Sequence, residues 1–559
     1  MIKKIFWAVC GVLLIIFFHT PGYGEQLTIL HTNDTHSHLF PFGNANNVGG
    51  IARMSTRIRQ LKRDNQYVLT VNSGDVFVGT FAFNKYLGYP ELKMMERMYD
   101  VMCLGNHELD LGPTTLAGVL SGQLSGSDPV YMPVLCANID LDGAGLTGLV
   151  SPYMIKNLGP FRIGLFGVVT TDPYNYSDEV NALLSDPYEA ALKCVKILRR
   201  KGCDVVICLS HLGLMADYEF LSQVPGIDII VGGHSHDITP EPLLVNDHTI
   251  KDLDGTEDYP YPVSAGDTII VQAGEYGKYL GELTVDISKG VVDLVGYKLH
   301  AINKKVKKDI RILQTLNNLK LGIQFDPRFG NVYSASLARA AWNLEQDWEA
   351  DNPHRDTALG NLVADALYKG IKKSNIALPG NYPLISLEAL GYIGHRLYKG
   401  KVVGNDILRS VPYGYDPVSG LGFKINVVLL AGAQILAGLE YSVSNVEYTD
   451  DLSLQSANLT YEYDSSKPAL SVEELLQGKL SRIDPVSVKI MERPIDPQKL
   501  YWVALSEQLQ AFLKSLQMQP FGEIETGLYE YNLVKDYVVS LGVLRYKSEG
   551  RIIDTAIQK

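Results

Sequence analysis

Cysteine is scarce, basic charge is in deficit, and long apolar runs are confined to the amino terminus; each shortage removes a class of protein. Six cysteines occur in 559 residues. Cys10 lies inside the first apolar run, leaving Cys103, Cys136, Cys194, Cys203 and Cys208, an odd number that cannot all pair within one chain. None has the spacing of a zinc site. Four stand in apolar, strand-like surroundings, so buried free thiols are expected in place of a disulfide framework. The net charge is −12, from 50 basic against 62 acidic residues. A broad basic stripe is the usual footprint of a nucleic-acid binder, so no nucleic-acid polymer is expected as partner. The last residues, Arg551-Ile552-Ile553-Asp554-Thr555 onward, form no apolar tail, and no carboxy-terminal anchor signal is expected.

Residues 1–24 carry Lys3-Lys4, an apolar run over 5–18 and then Pro21-Gly22-Tyr23-Gly24, the pattern of a secretory signal cut after Gly24. An uncleaved anchor is the competing reading, and the run is short for a bilayer span. The expectation is an exported protein, periplasmic or extracellular, with no stable membrane anchor after cleavage. The rest of the sequence is ordinary globular material, 46% hydrophobic and 20% charged. Its length exceeds one hydrophobic core, which predicts two domains.

Apolar runs of strand length at 27–30, 67–71, 101–104, 131–137, 161–169, 204–209 and 227–231 alternate with helical patterns at 51–62, 90–98 and 187–200. That alternation predicts an α/β catalytic domain over 25–303. Residues 304–351 turn helical and charged, through Leu313, Leu316, Leu319 and Leu321 and then 337–348, and read as a helical linker. A second α/β domain follows over 352–559. No repeat or low-complexity tract is evident.

Five polar clusters each follow directly on an apolar run: Asp34-Thr35-His36-Ser37-His38, Ser73-Gly74-Asp75, Gly105-Asn106-His107-Glu108-Leu109-Asp110, Ser210-His211-Leu212-Gly213 and Gly232-Gly233-His234-Ser235-His236. In open α/β sheets ligands bind beyond the carboxyl ends of strands, so these clusters are expected to converge on one edge. Buried Asp and His need a partner, and a cation is the natural one. A dinuclear hydrolase needs a carboxylate shared between its two cations, and Asp75 is the candidate. Asp34 and His36, on one side of an extended chain, are assigned to the first cation. Asn106, His211 and one histidine of the His234/His236 pair go to the second, with the other histidine returning to the first. A mixed N/O set suits two zinc, manganese or iron ions better than calcium. His107, beside a ligand, is placed as the catalytic group that stabilises phosphoryl charge or aids the leaving oxygen, with Asp110 orienting its ring. His31, His38 and His248 read as structural.

These stretches resemble a calcineurin-like metallophosphoesterase, and specifically the 5′-nucleotidase family with its second domain. Gly49-Gly50-Ile51-Ala52-Arg53 and Leu359-Gly360-Asn361-Leu362-Val363-Ala364-Asp365 extend the resemblance to most of 25–559. It implies a layered metallophosphoesterase sandwich followed by an α/β substrate-binding domain, and the same ligand roles with His107 and Asp110 as catalytic pair. The implied reaction is a metal-activated hydroxide attacking a small phosphate ester, a nucleotide or a relative of one.

The match breaks where a nucleotide should be held. A Gly-Gly-x-Arg turn of the family is Gly391-Tyr392-Ile393-Gly394 here, leaving His395 and Arg396 as nearby cations. Ser456 stands where a base-stacking ring is sought, and a later Gly-Gly-Asp-Gly-Tyr segment gives way to Trp502-Val503-Ala504-Leu505-Ser506-Glu507. Arg396 and Tyr413 are the substrate-binding candidates. A phosphodiesterase, a sugar-nucleotide or other oxyanion-ester hydrolase, and a non-catalytic metal- and anion-binding protein are the alternatives.

Overall fold

The computed structural model describes residues 25–43, 47–221, 223–245, 267–288, 290–348, 351–447 and 450–557. The expected signal segment, residues 1–24, and His248 lie outside them. No helix among the described residues is long and apolar enough to cross a membrane.

The first domain is two six-stranded sheets packed face to face. Strands β1 (Gln26–Thr32), β2 (Tyr67–Asn72), β3 (Val101–Cys103) and β4 (Val134–Leu135) run parallel in one, in that order. The second contains β5 (Tyr153–Leu158), β6 (Phe161–Val169), β7 (Val205–His211), β8 (Ile229–Val231), β9 (Leu243–Val245) and β10 (Thr268–Val271), with β6, β7, β8 and β10 parallel. A long hairpin, β11 (Tyr279–Ser288) and β12 (Val291–Ala301), returns to the first sheet beside β1.

Alternate residues decide the layering, because successive side chains of a strand point to opposite faces. Leu27 and Ile29, Leu69 and Val71, Ile207 and Leu209, and Ile229 and Val231 meet in the core between the sheets. The other face of the second sheet presents Val206, Cys208 and Ile230 to Ala191, Cys194, Val195 and Leu198 of the helix Pro187–Arg200. Cys103, Cys136, Cys194, Cys203 and Cys208 are buried free thiols, as expected.

The parallel strands end in step. Thr32 pairs with Asn72 and Asn72 with Met102 across the first sheet, and Leu209 pairs with Val231 across the second. Everything immediately beyond β1, β2, β3, β7 and β8 is thereby delivered to one edge of the sandwich.

Two segments differ from the sequence expectation. The stretch 90–98 is helical only over Tyr89–Met95, behind a short helix Phe81–Tyr86. Only Ile310–Gln324 of the expected linker is helical. Residues 337–348 contain instead the strand Ala338–Ala340, paired with Gly400–Val402 and Val543–Leu544. Helical spacing of apolar residues cannot register strand partners that far away in the chain.

The second domain centres on a five-stranded sheet ordered Leu454–Ala457, Leu384–Ala389, Leu500–Ser506, Lys424–Ala431 and Gly522–Tyr529. The helix Ala358–Lys373 opens it, capped by Thr357, whose side chain accepts from Gly360 N. Asp356 anchors the end of the chain by accepting from the backbone N–H groups of Glu549, Gly550 and Arg551.

His31 is structural, as read from the sequence. It is fully buried on β1, its Nε2 lies 3.2 Å from the Tyr297 hydroxyl, and burial pushes its pKa down to about 3, so the ring is neutral. It fits because its partner on β11 is Gly281, where a Cβ would stand 1.9 Å from His31 Nε2. Gly281→Ala is therefore expected to overpack this layer and cost about 1–3 kcal/mol, read as a lower midpoint in thermal or urea denaturation. An unchanged midpoint would show that the ring has room to move.

Candidate metal centre

The loop after β1 turns back on itself instead of remaining extended. Asp34, His36 and Ser37 have φ of 48°, 43° and 52°, and Asp75, His234 and His236 are left-handed too, at 54°, 78° and 59°. This corrects the extended geometry expected for the Asp34–His36 pair. The two side chains converge because the loop is sewn to the one after β2: Asp34 N donates to Gly74 O at 3.0 Å, His36 N to Asp75 O at 2.9 Å and Ser37 N to Val76 O at 2.7 Å. Such conformations cost of order 1–3 kcal/mol each in non-glycine residues, and they persist where surrounding structure enforces them.

Much of that enforcement comes from Glu108, a residue of the third cluster to which the sequence assigned no role. Its Oε2 accepts from Gly105 N at 2.7 Å and Asp75 N at 2.9 Å, and its Oε1 from Val76 N at 2.7 Å and Phe77 N at 3.1 Å. One buried carboxylate thus shapes both the second and the third loops. Its only sequence signal was an acid amid groups that a cation would attract.

Three interlocking groups of side chains result: Asp34, His36 and His236; His36, Asp75 and His107; and Asp75, His211 and His234. Within each, the ligand-type atoms lie within 4.8 Å of one another. The pair left open in sequence divides, His236 joining Asp34 and His36, and His234 joining Asp75 and His211. Asp75 Oδ2 stands between the groups, 3.0 Å from His211 Nε2, 3.8 Å from His36 Nε2 and 4.0 Å from His107 Nε2. Asp34 Oδ1 is 3.4 Å from His236 Nε2, 3.8 Å from His211 Nε2 and 3.9 Å from His36 Nε2.

The donors fit a cation better than they fit one another. The Nε2 atoms of His36 and His236 face each other at 3.1 Å. The outer nitrogens of His36 and His211 are engaged by the Phe77 carbonyl at 3.3 Å and the Ser73 carbonyl at 2.6 Å, so both rings turn Nε2 inward. Asn106 Oδ1 is buried without a hydrogen-bond partner, which a buried polar atom rarely tolerates. Burial pushes the Asp75 carboxyl up, but His211 and His107 outweigh it and hold the group well below the usual range. Burial drops His36 to about 4, leaving a neutral imidazole with a free lone pair.

His107 lies at the rim, on a single 3₁₀ turn, His107–Leu109. Its Nδ1 is 2.8 Å from Asp110 Oδ2, and its backbone N–H donates to Asp75 Oδ1 at 3.0 Å. Burial opposes charge on the ring, yet the Asp110 and Asp75 carboxylates prevail and push its pKa up to about 10. Nε2 of a charged ring there is a hydrogen-bond donor at the edge of the centre.

The second domain closes over this edge. Tyr413 stacks on His107, with ring centroids 5.4 Å apart and planes inclined by 21°. His395 packs 4.7 Å from Tyr276, whose ring in turn lies 5.6 Å from that of His36. Arg396 is turned elsewhere, to Glu345 at 2.7 Å and Asp347 at 3.6 Å. His38 donates from Nδ1 to the His36 carbonyl at 2.8 Å and packs on Tyr276, but its Nε2 has no partner. Glu275 and Tyr276 were missed although they follow the end of β10 as the other clusters follow their strands.

A calcineurin-like phosphoesterase family model matches residues 27–237, and a 5′-nucleotidase C-terminal domain model matches residues 338–511. Snake venom 5′-nucleotidase of Naja atra is 27% identical over 554 residues, covering 95% of this chain and 99% of that protein. The trifunctional nucleotide phosphoesterase protein YfkN of Bacillus subtilis is 28% identical over 482 residues, 80% of this chain, which spans only 30% of YfkN's length. Among solved structures, a 5′-nucleotidase precursor from Thermus thermophilus superposes with a TM-score of 0.78 at 28% identity, covering 95% of this chain and 99% of that one.

Replacing Glu108 by Gln keeps the side chain's size but directs an amide at backbone donors. Each N–H left unpaired costs about 1–3 kcal/mol, so Glu108→Gln is expected to lower the melting temperature and weaken uptake of manganese or zinc together. Retention of both would mean that the loops hold their shape without this carboxylate.

Proposed function

Because the chain belongs to the 5′-nucleotidase family, a calcineurin-like phosphoesterase domain joined to a 5′-nucleotidase C-terminal domain, and is thus a hydrolase, we propose that it is an exported dinuclear phosphoesterase with an altered substrate pocket. The observation that carries the dinuclear reading is the set of interlocked groups sharing His36 and Asp75. Asp34, His36 and His236 would hold one divalent cation, Asn106, His211 and His234 the other, and Asp75 both. Zinc, manganese or iron suits these donors. Such cations supply the Lewis acidity that activates a water and withdraws charge from phosphoryl oxygens.

The protein's own residues do the rest. The His107 imidazolium, oriented by Asp110, donates from Nε2 to a phosphoryl oxygen or to the departing ester oxygen. Tyr413 covers the ring and limits its access to bulk water. Asp34 and Asp75 remain ionised because imidazoles and backbone donors surround them: Asp34 accepts from His234 N at 3.1 Å and Asp75 from His107 N at 3.0 Å.

The substrate is read as a small phosphate ester other than an ordinary nucleoside monophosphate. A Cβ at Gly394 would stand 2.6 Å from the Arg409 carbonyl oxygen and 2.8 Å from Pro412 Cγ, so no arginine side chain fits there without moving backbone. Ser456 is fully buried, and its hydroxyl donates to the Leu459 carbonyl at 2.8 Å, which removes that position as a base platform. A stacked face is worth about 1–3 kcal/mol by analogy with base–aromatic stacking. The leader-type sequence of residues 1–24 supports export to the periplasm or the cell exterior.

The test is hydrolysis by metal-free protein re-supplied with manganese or zinc, across aryl phosphates, nucleoside monophosphates, cyclic nucleotides and sugar nucleotides. Metal-dependent turnover of generic esters exceeding that of nucleoside monophosphates is expected. A wide preference for nucleoside monophosphates would overturn the pocket reading, and no turnover with both cations bound would favour a binding protein. His107→Ala is expected to lower kcat about 10²–10⁴-fold while the protein stays folded, and Asp75→Asn to abolish uptake of one cation or both.

A further inference from the structure

The imidazoles of the centre differ in what holds their outer nitrogens. His36 and His211 lean on neutral carbonyl oxygens, those of Phe77 and Ser73. His236 leans on a carboxylate: its Nδ1 is 2.9 Å from Glu275 Oε2. The other Glu275 oxygen pairs with the Lys278 ammonium. Glu275 is also fixed in place by its backbone neighbours. Ala273 N donates to Asn33 Oδ1 at 2.9 Å, Asn33 Nδ2 donates to Gly274 O at 2.6 Å, and Tyr276 N donates to Asp34 O at 2.6 Å. The loop carrying the carboxylate and the loop carrying Asp34 therefore move as one piece.

We propose that Glu275 is the positioning residue of the Asp34–His36–His236 group, gripping the His236 ring at Nδ1 so that Nε2 faces the cation site beside Asp34 and His36. It rests on the metal reading of the centre. His236 gains from such help, because its side chain is 30% exposed whereas those of His36 and His211 are 5% and 0% exposed. The His36 and Tyr276 rings pack against the His236 ring at 5.1 and 5.8 Å between centroids, and the carboxylate adds a directional contact at its outer nitrogen. Carboxylates behind metal-binding histidines are typically worth 10–100-fold in metal affinity. The effect is confined to one group, because the ion pairs of the Glu275 carboxylate go to His236 and Lys278 and not to His211, His234 or Asn106.

The test is calorimetric titration of the metal-free, full-length protein with manganese or zinc, comparing wild type with Glu275→Gln and Lys278→Met. One of two binding steps is expected to weaken 10–100-fold in Glu275→Gln, with the other unchanged, and the loss is expected to be smaller in Lys278→Met. Circular dichroism establishes that each variant is folded. Nitrogen-15 NMR of the histidine rings in zinc-loaded wild-type protein supplies an independent reading, with the His236 proton expected on Nδ1. A proton on Nε2, equal weakening of both steps, or unchanged affinities would overturn the role of Glu275 while leaving the centre intact. Failure of the wild-type protein to bind metal would overturn the centre and this role together.

Discussion

Two ionised carboxylates buried among imidazoles set the terms for everything around them. Asp34 and Asp75 have side chains 0% and 2% exposed, and each lies within 4 Å of three histidine nitrogens. Charges taken out of water cost several kcal/mol apiece unless compensated. The His211, His107 and His236 rings, drawn toward their charged forms by these carboxylates, supply part of that compensation, and divalent cations would supply it in their place. The protein contributes what it can through backbone N–H groups, a left-handed His234 aiming its N–H at Asp34 and a 3₁₀ turn aiming that of His107 at Asp75. Local order in these loops and uptake of metal are consequently coupled, each favouring the other.

That coupling explains which parts of the centre were legible in the sequence. Asp34, His36, Asp75, Asn106, His211, His234 and His236 each follow an apolar run, and the parallel register of β1 with β2 and β3, and of β7 with β8, converts five separate sequence positions into one edge. Strand ends are visible in a sequence because burial on both faces leaves an uninterrupted apolar run. The devices that bend the loops are not, because a carboxylate such as Glu108 that accepts four backbone donors looks like any other acid. Glu275 was hidden for a similar reason: its partner His236 is 39 residues earlier and on another loop. Residues 337–348 failed differently, since Ala338–Ala340 becomes a strand through partners at 400–402 and 543–544 that no local periodicity reports.

The second domain is legible in the sequence as a domain but not as a pocket. Tyr413, one of the two binding candidates, does reach the centre, stacked on His107. Arg396 is a candidate by its charge, yet acids of the connecting stretch, Glu345 and Asp347, claim its guanidinium. An arginine's direction depends on which carboxylate lies nearest in the fold, and sequence distance does not give it.

These observations separate reaction from recognition. The first domain fixes its donors by sheet register, loop-to-loop hydrogen bonds and Glu108, so a change at any one of them disturbs several others at once. The second domain meets the centre through a few side chains on loops, Tyr413 and His395 among them, which touch the rings of His107 and Tyr276 and supply none of the donors. Gly394 belongs to these loops: a side chain at that position would meet the Arg409 carbonyl and Pro412. An enzyme divided in this way can acquire a new leaving group by changes in one domain while the other retains the chemistry of phosphate-ester cleavage. The His107–Asp110 pair belongs to the first of these two domains, and the loops that carry Tyr413 and His395 to the second.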